Sequence, residues 1–150
     1  MENSANKPRS IEDELSDYGN YATNTVGGSM RPLFKTHRDA VVLSSLDRDI
    51  KKYDIVLYKT SDGKYILHRV IGIKEGVFII RGDNTFVREY VPKERIIAYV
   101  TSFNRKGKRR KITDLSYKIY SRVWNFIYPL RFVLFKTRTL LSKIKHKING

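Results

Sequence analysis

Three side chains of the types that serine hydrolases use occur along the middle of this sequence: Ser29, His68 and Asp83. A serine hydroxyl is a weak nucleophile at neutral pH and needs a neighbouring base to take its proton. Histidine, with an ordinary pKa of about 6.5, suits that task, and a carboxylate on its other ring nitrogen fixes the tautomer. The three residue types therefore indicate acyl-transfer chemistry if the fold brings them together.

The serine follows two glycines in residues 27–32, GGSMRP. Glycine has no Cβ, so the backbone can turn sharply there and a peptide can approach closely. An oxyanion hole needs backbone N–H groups at such a turn. We therefore expect Gly28 and Ser29 to form the oxyanion turn, with the N–H of Ser29 as a donor.

Four short segments occur in a fixed order: residues 27–32 (GGSMRP), 53–58 (YDIVLY), 67–73 (LHRVIGI) and 81–84 (RGDN). Their order and spacing resemble the type I signal peptidases and the wider group of serine peptidases that includes the self-cleaving repressors. The bacterial enzymes have a lysine base in the third segment, where this chain has His68. A histidine base followed by G-D-N resembles the archaeal and endoplasmic-reticulum branch.

The resemblance implies a role for each site residue. Ser29 would be the nucleophile, His68 the base and Asp83 the acid, while the family's second acidic position falls near Glu89, which could orient His68 instead. It implies a serine endopeptidase that removes a leader or signal peptide through an acyl-enzyme. Its peptide or protein substrate would bind as an extended strand, and neither a cofactor nor a metal would be needed.

Short segments rich in Val, Ile, Tyr and Phe, separated by turn signals, are expected to position these residues. They predict strands over residues 23–26, 40–43, 54–59, 65–73, 77–81 and 96–103. The fold class is therefore mainly β, a signal-peptidase-like antiparallel domain over residues 20–103. Residues 1–19 form a polar segment with a short helix over residues 11–18, which Ser10 caps.

The remaining residues, 104–150, carry 14 Lys and Arg but one acidic residue, within a chain of net charge +15. Residues 104–111 (NRKGKRRK) are expected to form a linker or an exposed turn. After them, Tyr and Trp recur at helical spacing until Pro129 kinks or breaks the helix. Aromatic and aliphatic residues interleaved with Lys and Arg are typical of helices that lie on anionic membranes. We expect residues 115–148 to bind such a surface; packing on the β domain is the alternative, and binding to nucleic acid is less favoured.

Several protein classes are excluded by the sequence. The chain has no cysteine, three histidines without an H-E-x-x-H pattern, and no glycine-rich phosphate-binding motif, which argues against thiol, zinc and nucleotide chemistry. It shows neither a secretory signal nor the ~18 uninterrupted apolar residues of a membrane span. The expected location is cytoplasmic, peripherally associated with the membrane.

Two other functions fit the same fold. A catalytically silent peptide-binding module would keep the sheet but would not react with a serine-directed acylating reagent. A DNA-binding regulator related to the self-cleaving repressors would need a helix-turn-helix before the β domain, and the sequence shows none.

Overall fold

The computed structural model describes residues 9–148, so the first eight residues of the expected polar segment lie outside the described part. The elements are α1 (Ile11–Tyr18), β1 (Asn20–Asn24), β2 (Ala40–Ser45), β3 (Ile55–Lys59), β4 (Tyr65–Lys74), β5 (Val77–Arg81), β6 (Glu89–Pro92), β7 (Ile96–Arg105), β8 (Lys108–Lys111), α2 (Leu115–Phe126) and α3 (Tyr128–Ile148).

The strands of the described part form one antiparallel sheet in the order β1-β2-β7-β3-β4-β5-β6, with β8 paired to β7. The mainly β class expected from the sequence is thus confirmed. Two strands that are distant in sequence, β3 and β7, pair in the middle of this order. Three of the four segments singled out in the sequence lie in β3, in β4 and at the end of β5. The serine segment packs beside β3 through Met30.

Strand β3 is buried on both faces because side chains alternate along a strand. Ile55 and Leu57 belong to one core, which includes residues of the serine segment, α1 and α2. Val56 and Tyr58 belong to a second core against β5 and β6. The sheet is therefore covered on both sides at the place where His68, opposite Val56 in β4, enters the site.

Helix α1 is confirmed with the expected bounds. Ser10 accepts a hydrogen bond from the N–H of Asp13, and the Asp13 carboxylate accepts one from the N–H of Ser10, which completes a capping box. The helix ends at Gly19, whose φ of 70° is one that glycine adopts without strain.

The expected boundary at residue 104 is wrong. Residues 104–111 form a β-hairpin, not a linker: β7 runs to Arg105, turns at Lys106-Gly107 and returns as β8. Strand β6 was also not predicted, and the first strand covers Asn20–Asn24 instead of residues 23–26. The helical appendage therefore begins at Leu115.

The helix break near Pro129 is confirmed. Helix α2 ends at Phe126 and α3 begins at Tyr128, so that Pro129 lies in the first turn of α3, where its missing N–H costs no helical hydrogen bond. No helix of residues 9–148 has both the length and the apolar character that crossing a membrane requires.

Candidate active site

The serine turn, residues 27–32, is anchored on its buried side by Met30, which packs in the core with Leu33 and Phe34. At its base the hydroxyl of Thr25 donates to the carbonyl of Asp39 at 3.0 Å. The buried Asp39 carboxylate in turn accepts from the N–H of Lys35 at 2.8 Å. These contacts fix the loop on which Ser29 stands, half-buried at the surface.

His68 is buried on β4 with one ring nitrogen directed at an acid. Its Nδ1 lies 3.2 Å from Oε1 of Glu89, at the start of β6. The hydroxyl of Tyr58 donates to the other oxygen of the same carboxylate and lies 3.4 Å from His68 Nδ1. A neutral imidazole that donates its Nδ1 proton to a carboxylate has an unprotonated Nε2, the form that a general base requires.

Gly82 lies between the serine turn and the ring of His68. A Cβ at this position would lie 2.7 Å from the backbone oxygen of Ser29 and 3.0 Å from Nε2 of His68. Both atoms are therefore about one contact distance from the same point. Because a side chain would separate them, the glycine of G-D-N is needed for this close approach.

Asn84 ties the G-D-N turn, residues 82–84, to the serine turn. Its backbone N–H donates to the carbonyl of Ser29 at 2.7 Å, and its side-chain Nδ2 donates to the carbonyl of Gly28 at 3.2 Å. Within the part of the chain that the structure describes, the N–H of Ser29 donates to no protein group. That leaves this N–H for an oxyanion, although the oxyanion role of Gly28 and Ser29 stays a prediction.

Asp83 does not take the position behind His68 that the sequence suggested. Both carboxylate oxygens accept hydrogen bonds from the guanidinium of Arg69, at 2.7 and 2.8 Å, inside the protein. The reason is strand alternation: neighbouring residues of β4 point to opposite faces, and Asp83 lies on the face of Arg69. Between the two acids considered, the geometry favours Glu89 as the partner of His68.

The Arg69–Asp83 pair is held by the C-terminal helices. Tyr120 of α2 donates its hydroxyl to Asp83 Oδ2 at 2.9 Å, and Trp124 donates Nε1–H to the Asp83 carbonyl at 2.8 Å. Arg131 of α3 donates to the same carbonyl at 2.7 Å. Helix α2 and the start of α3 therefore pack behind the G-D-N turn, which is the alternative that the sequence left open for them.

The environment sets the protonation of the site. Burial lowers the pKa of His68 below its ordinary value of 6.5, while the negative charges of Glu89 and Asp83 offset part of that effect. His68 is therefore neutral at pH 7. For Arg69, burial alone would lower the pKa, but the charge of Asp83 raises it overall, so the guanidinium stays charged inside the protein.

Ser29 and His68 line one pocket of about 430 Å³, whose other walls are mostly apolar. Two strand edges face it. Residues 65–68 of β4 pair with β3 on one side, whereas pairing with β5 begins at Arg69; β1 is the outermost strand and pairs with β2. Both edges thus have backbone groups with no strand partner among the described residues.

Some site residues escaped the sequence reasoning. Tyr58 donates to Glu89, Asn84 donates to the serine turn, and Asp39 accepts from Thr25 below that turn. Each of these three residues is distant in sequence from the group that it contacts. Asn84 belongs to the G-D-N motif and Tyr58 to the YDIVLY segment, whereas Asp39 lies in none of the four segments. Within residues 9–148, no three His, Asp or Glu side chains are grouped to hold a metal ion.

The geometry carries the interpretation of this site. A buried histidine directs Nδ1 at an acid and Nε2 towards a serine turn, and both line a pocket with strand edges on two sides. Comparisons of the chain with protein-family models and with curated proteins gave no match.

Proposed function

We propose that this protein is a serine endopeptidase of the signal-peptidase type, with Ser29 as nucleophile and His68 as general base. One observation carries the proposal: Nε2 of His68 and the backbone oxygen of Ser29 both lie beside Gly82, while Oε1 of Glu89 lies 3.2 Å from Nδ1. A histidine held in this way has a proton acceptor on the side of the serine and a carboxylate that stabilises the imidazolium.

The reaction proceeds in two steps, acylation of Ser29 and hydrolysis of the acyl-enzyme. As Ser29 Oγ attacks the peptide carbonyl carbon, its proton passes to His68 Nε2 and the carbonyl oxygen becomes an oxyanion near the N–H of Ser29. Collapse breaks the C–N bond, and the imidazolium gives its proton to the leaving amine. Water then attacks the ester carbon and loses a proton to His68 Nε2. Collapse breaks the bond between the carbonyl carbon and Ser29 Oγ, the imidazolium returns its proton to Oγ, and the carboxylic acid product leaves.

The substrate binds as an extended strand between the edges of β1 and β4. An extended peptide satisfies its backbone N–H and C=O groups at unpaired strand edges, which is how strand addition recognises peptides. The pocket wall beside Ser29 is formed by Met30, Leu57 and Leu67. Apolar side chains of the peptide would be buried there, so the peptide before the scissile bond is apolar rather than charged.

The C-terminal helices support a peripheral attachment to anionic membranes on the cytoplasmic side. Their outward faces expose apolar side chains among cations. The exposed apolar ones are Leu115, Ile119, Val123, Phe126, Leu130, Val133, Leu134, Phe135, Leu140, Leu141, Ile144 and Ile148. Cations attract such a surface to acidic headgroups, and the apolar groups then insert between the lipids.

Cleavage of peptides separates the peptidase from the silent binding module. A library of peptides with apolar residues before a central bond is incubated with the protein, and the products are identified by mass spectrometry. We expect a defined set of cleavages that Ser29→Ala and His68→Ala each abolish, with both variants folded by circular dichroism. Binding without cleavage by the folded unmodified protein would support the silent module.

A further inference from the structure

A second pocket, of about 340 Å³, lies between α2 and strands β4 and β5, away from Ser29. Four cations line it, namely Lys52, Arg81, Arg88 and Arg122, and none of the residues that line it is acidic. Tyr53 and Tyr128 contribute aromatic walls. A concave site with a single sign of charge focuses its electrostatic potential on anions.

Arg81 distinguishes this pocket from an ordinary basic surface. Its side chain is buried, with 5 % of the residue exposed, and its guanidinium lies 3.4 Å from the ring centre of Tyr128. It donates to the amide oxygen of Asn125 at 3.0 Å, and within residues 9–148 it forms no ion pair. A buried cation without a counter-ion is unfavourable.

The neighbouring charges add to this cost. Burial lowers the pKa of Arg81, and the positive charges of Arg88 and Arg131 lower it further, although the Tyr128 ring and hydroxyl oppose them. The contrast with Arg69, which has Asp83 as its bidentate partner, is direct. An anion in the pocket would give Arg81 a negative charge and hydrogen-bond acceptors, as Asp83 does for Arg69.

We propose that this pocket binds a phosphate group through Arg81, with Lys52, Arg88 and Arg122 around it. Guanidinium groups bind phosphate oxygens in a bidentate manner, and Lys52 adds a mobile charge at the rim. Phe126, 84 % exposed, lies at the mouth of the pocket. The shared chemistry is a phosphate ester, which a free metabolite or the headgroup of a phospholipid can present.

The test measures binding of glycerol 3-phosphate by calorimetry and of vesicles by sedimentation, the latter of phosphatidylcholine with and without phosphatidylglycerol. Lys52→Gln/Arg122→Gln is the main variant because both side chains are exposed and the fold does not depend on their burial. Arg81→Gln is the second variant, accepted if its thermal unfolding stays cooperative. The control, Lys74→Gln/Lys108→Gln, removes the same charge at exposed positions that do not line the pocket.

We expect the pocket variants to bind at least about tenfold more weakly, a loss of about 1.4 kcal/mol, and the control to bind within twofold of the unmodified protein. Weakened binding of glycerol 3-phosphate identifies a site for free phosphate esters, and weakening confined to anionic vesicles identifies a headgroup site. Equal binding by the pocket and control variants in both arms would overturn the proposal. So would a pocket-dependent binding of duplex DNA with no binding of either phosphate ligand. None of these readouts uses peptide cleavage, so the result is independent of the Ser29 site.

Discussion

At the residue scale, the site contains two carboxylates, and each one faces a different side chain of β4. Glu89 faces the ring of His68, whereas Asp83 neutralises Arg69 one residue further along the same strand. The two carboxylates therefore have different tasks: Asp83 lies within the G-D-N turn, and Glu89 lies at the start of the strand that follows it. One positions a proton acceptor, and the other keeps a buried cation from being uncompensated. Substitutions at the two positions should separate these tasks.

Glu89→Gln should reduce kcat/KM by about 10²-fold or more, because the imidazolium loses its stabilising charge and the tautomer is no longer fixed. The pH profile provides a second readout. Activity needs neutral His68 and so rises with pH through the His68 pKa, which burial places below 6.5. The Glu89 charge raises that pKa, so its removal should move the acidic limb to lower pH. Glu94→Gln, an exposed position nearby, is the control; an unchanged rate and limb in Glu89→Gln would exclude the assignment.

Asp83→Ala should act on stability first. It leaves the Arg69 guanidinium buried without a partner, for which the expected loss of unfolding free energy is about 3–5 kcal/mol. Urea unfolding measures this loss. Asp62→Ala, which breaks an exposed pair with Lys64, should cost far less, because water screens that pair. Similar values for the two variants would show that the Arg69–Asp83 pair does not support the fold.

Gly82→Ala tests the contact between the serine turn and His68. The added Cβ would meet the Ser29 carbonyl at 2.7 Å, a backbone atom that cannot move without shifting the turn. We expect peptide cleavage to fall by about tenfold or more, because misplacement of reacting groups by an ångström has effects of that order. Thermal unfolding should remain cooperative. Unchanged cleavage kinetics would mean that the two groups do not depend on this approach.

At the scale of elements, α2 and α3 act on the site from behind. Tyr120, Trp124 and Arg131 all donate to Asp83, whose neighbour Asn84 donates to the serine turn. The appendage is therefore connected to the serine turn through the G-D-N turn. We predict from this connection that the C-terminal helices position the proposed site, besides any contact with a membrane.

Tyr120→Phe/Trp124→Phe should weaken this connection while keeping the aromatic packing. Loss of two hydrogen bonds to a buried acceptor should cost about 1–3 kcal/mol, and the rate of peptide cleavage should fall because the G-D-N turn is held less firmly. Tyr90→Phe, at an exposed position of β6, is the matched control. If the double variant loses stability but cleaves at the normal rate, α2 supports the fold without positioning the site.

The elements that the sequence predicted are those whose patterns are strong. Val-, Ile- and Tyr-rich strands such as β3 to β5 are buried on at least one face, and Ser10 with Asp13 marks the start of α1. Strand β8 (KRRK) is fully exposed at the sheet edge, where Lys and Arg protect against further pairing and hide the strand from an apolar pattern. Strand β6 is short and ends in proline, which the sheet tolerates at its edge.

The sequence predicted the site residues that belong to a short motif. It did not predict the pairings that depend on the three-dimensional structure. Ser29 and His68 came from short motifs, and they line one pocket. The choice between Asp83 and Glu89 depended on which face of β4 each acid meets, which is fixed by the register of β4 with β5 and of β5 with β6. Tyr58 reaches Glu89 across 31 residues, a contact that local sequence does not encode.

At the scale of the whole molecule, charge and exposed apolar surface lie on the same helices. The second half of α3 exposes Leu140, Leu141 and Ile144 beside Lys143 and Lys145. Helix α2 and the start of α3, by contrast, are committed to the G-D-N turn. We therefore assign the proposed membrane attachment to the far end of α3, where substitution should affect attachment alone.

Leu140→Gln/Leu141→Gln/Ile144→Gln should reduce sedimentation with vesicles that contain phosphatidylglycerol, with Thr137→Gln/Ser142→Gln as control. Binding of the unmodified protein should weaken as salt rises but persist, because screening removes the electrostatic contribution and leaves the apolar one. Substitution is preferable to truncation at Phe103, which would also remove β8 and the buried Tyr117. Equal sedimentation of the triple variant and the control would show that α3 does not hold the protein on the membrane.

Covalent labelling is the direct test of the proposal that Ser29 is a nucleophile activated by His68. The protein is incubated with a fluorophosphonate, which phosphonylates activated serines, and the adduct is located by peptide mass spectrometry. We expect one adduct on Ser29 and none in Ser29→Ala. In folded His68→Ala we expect labelling to be at least about 10²-fold slower. No adduct on Ser29 in the folded protein, or labelling that proceeds at the same rate without His68, would contradict the proposal.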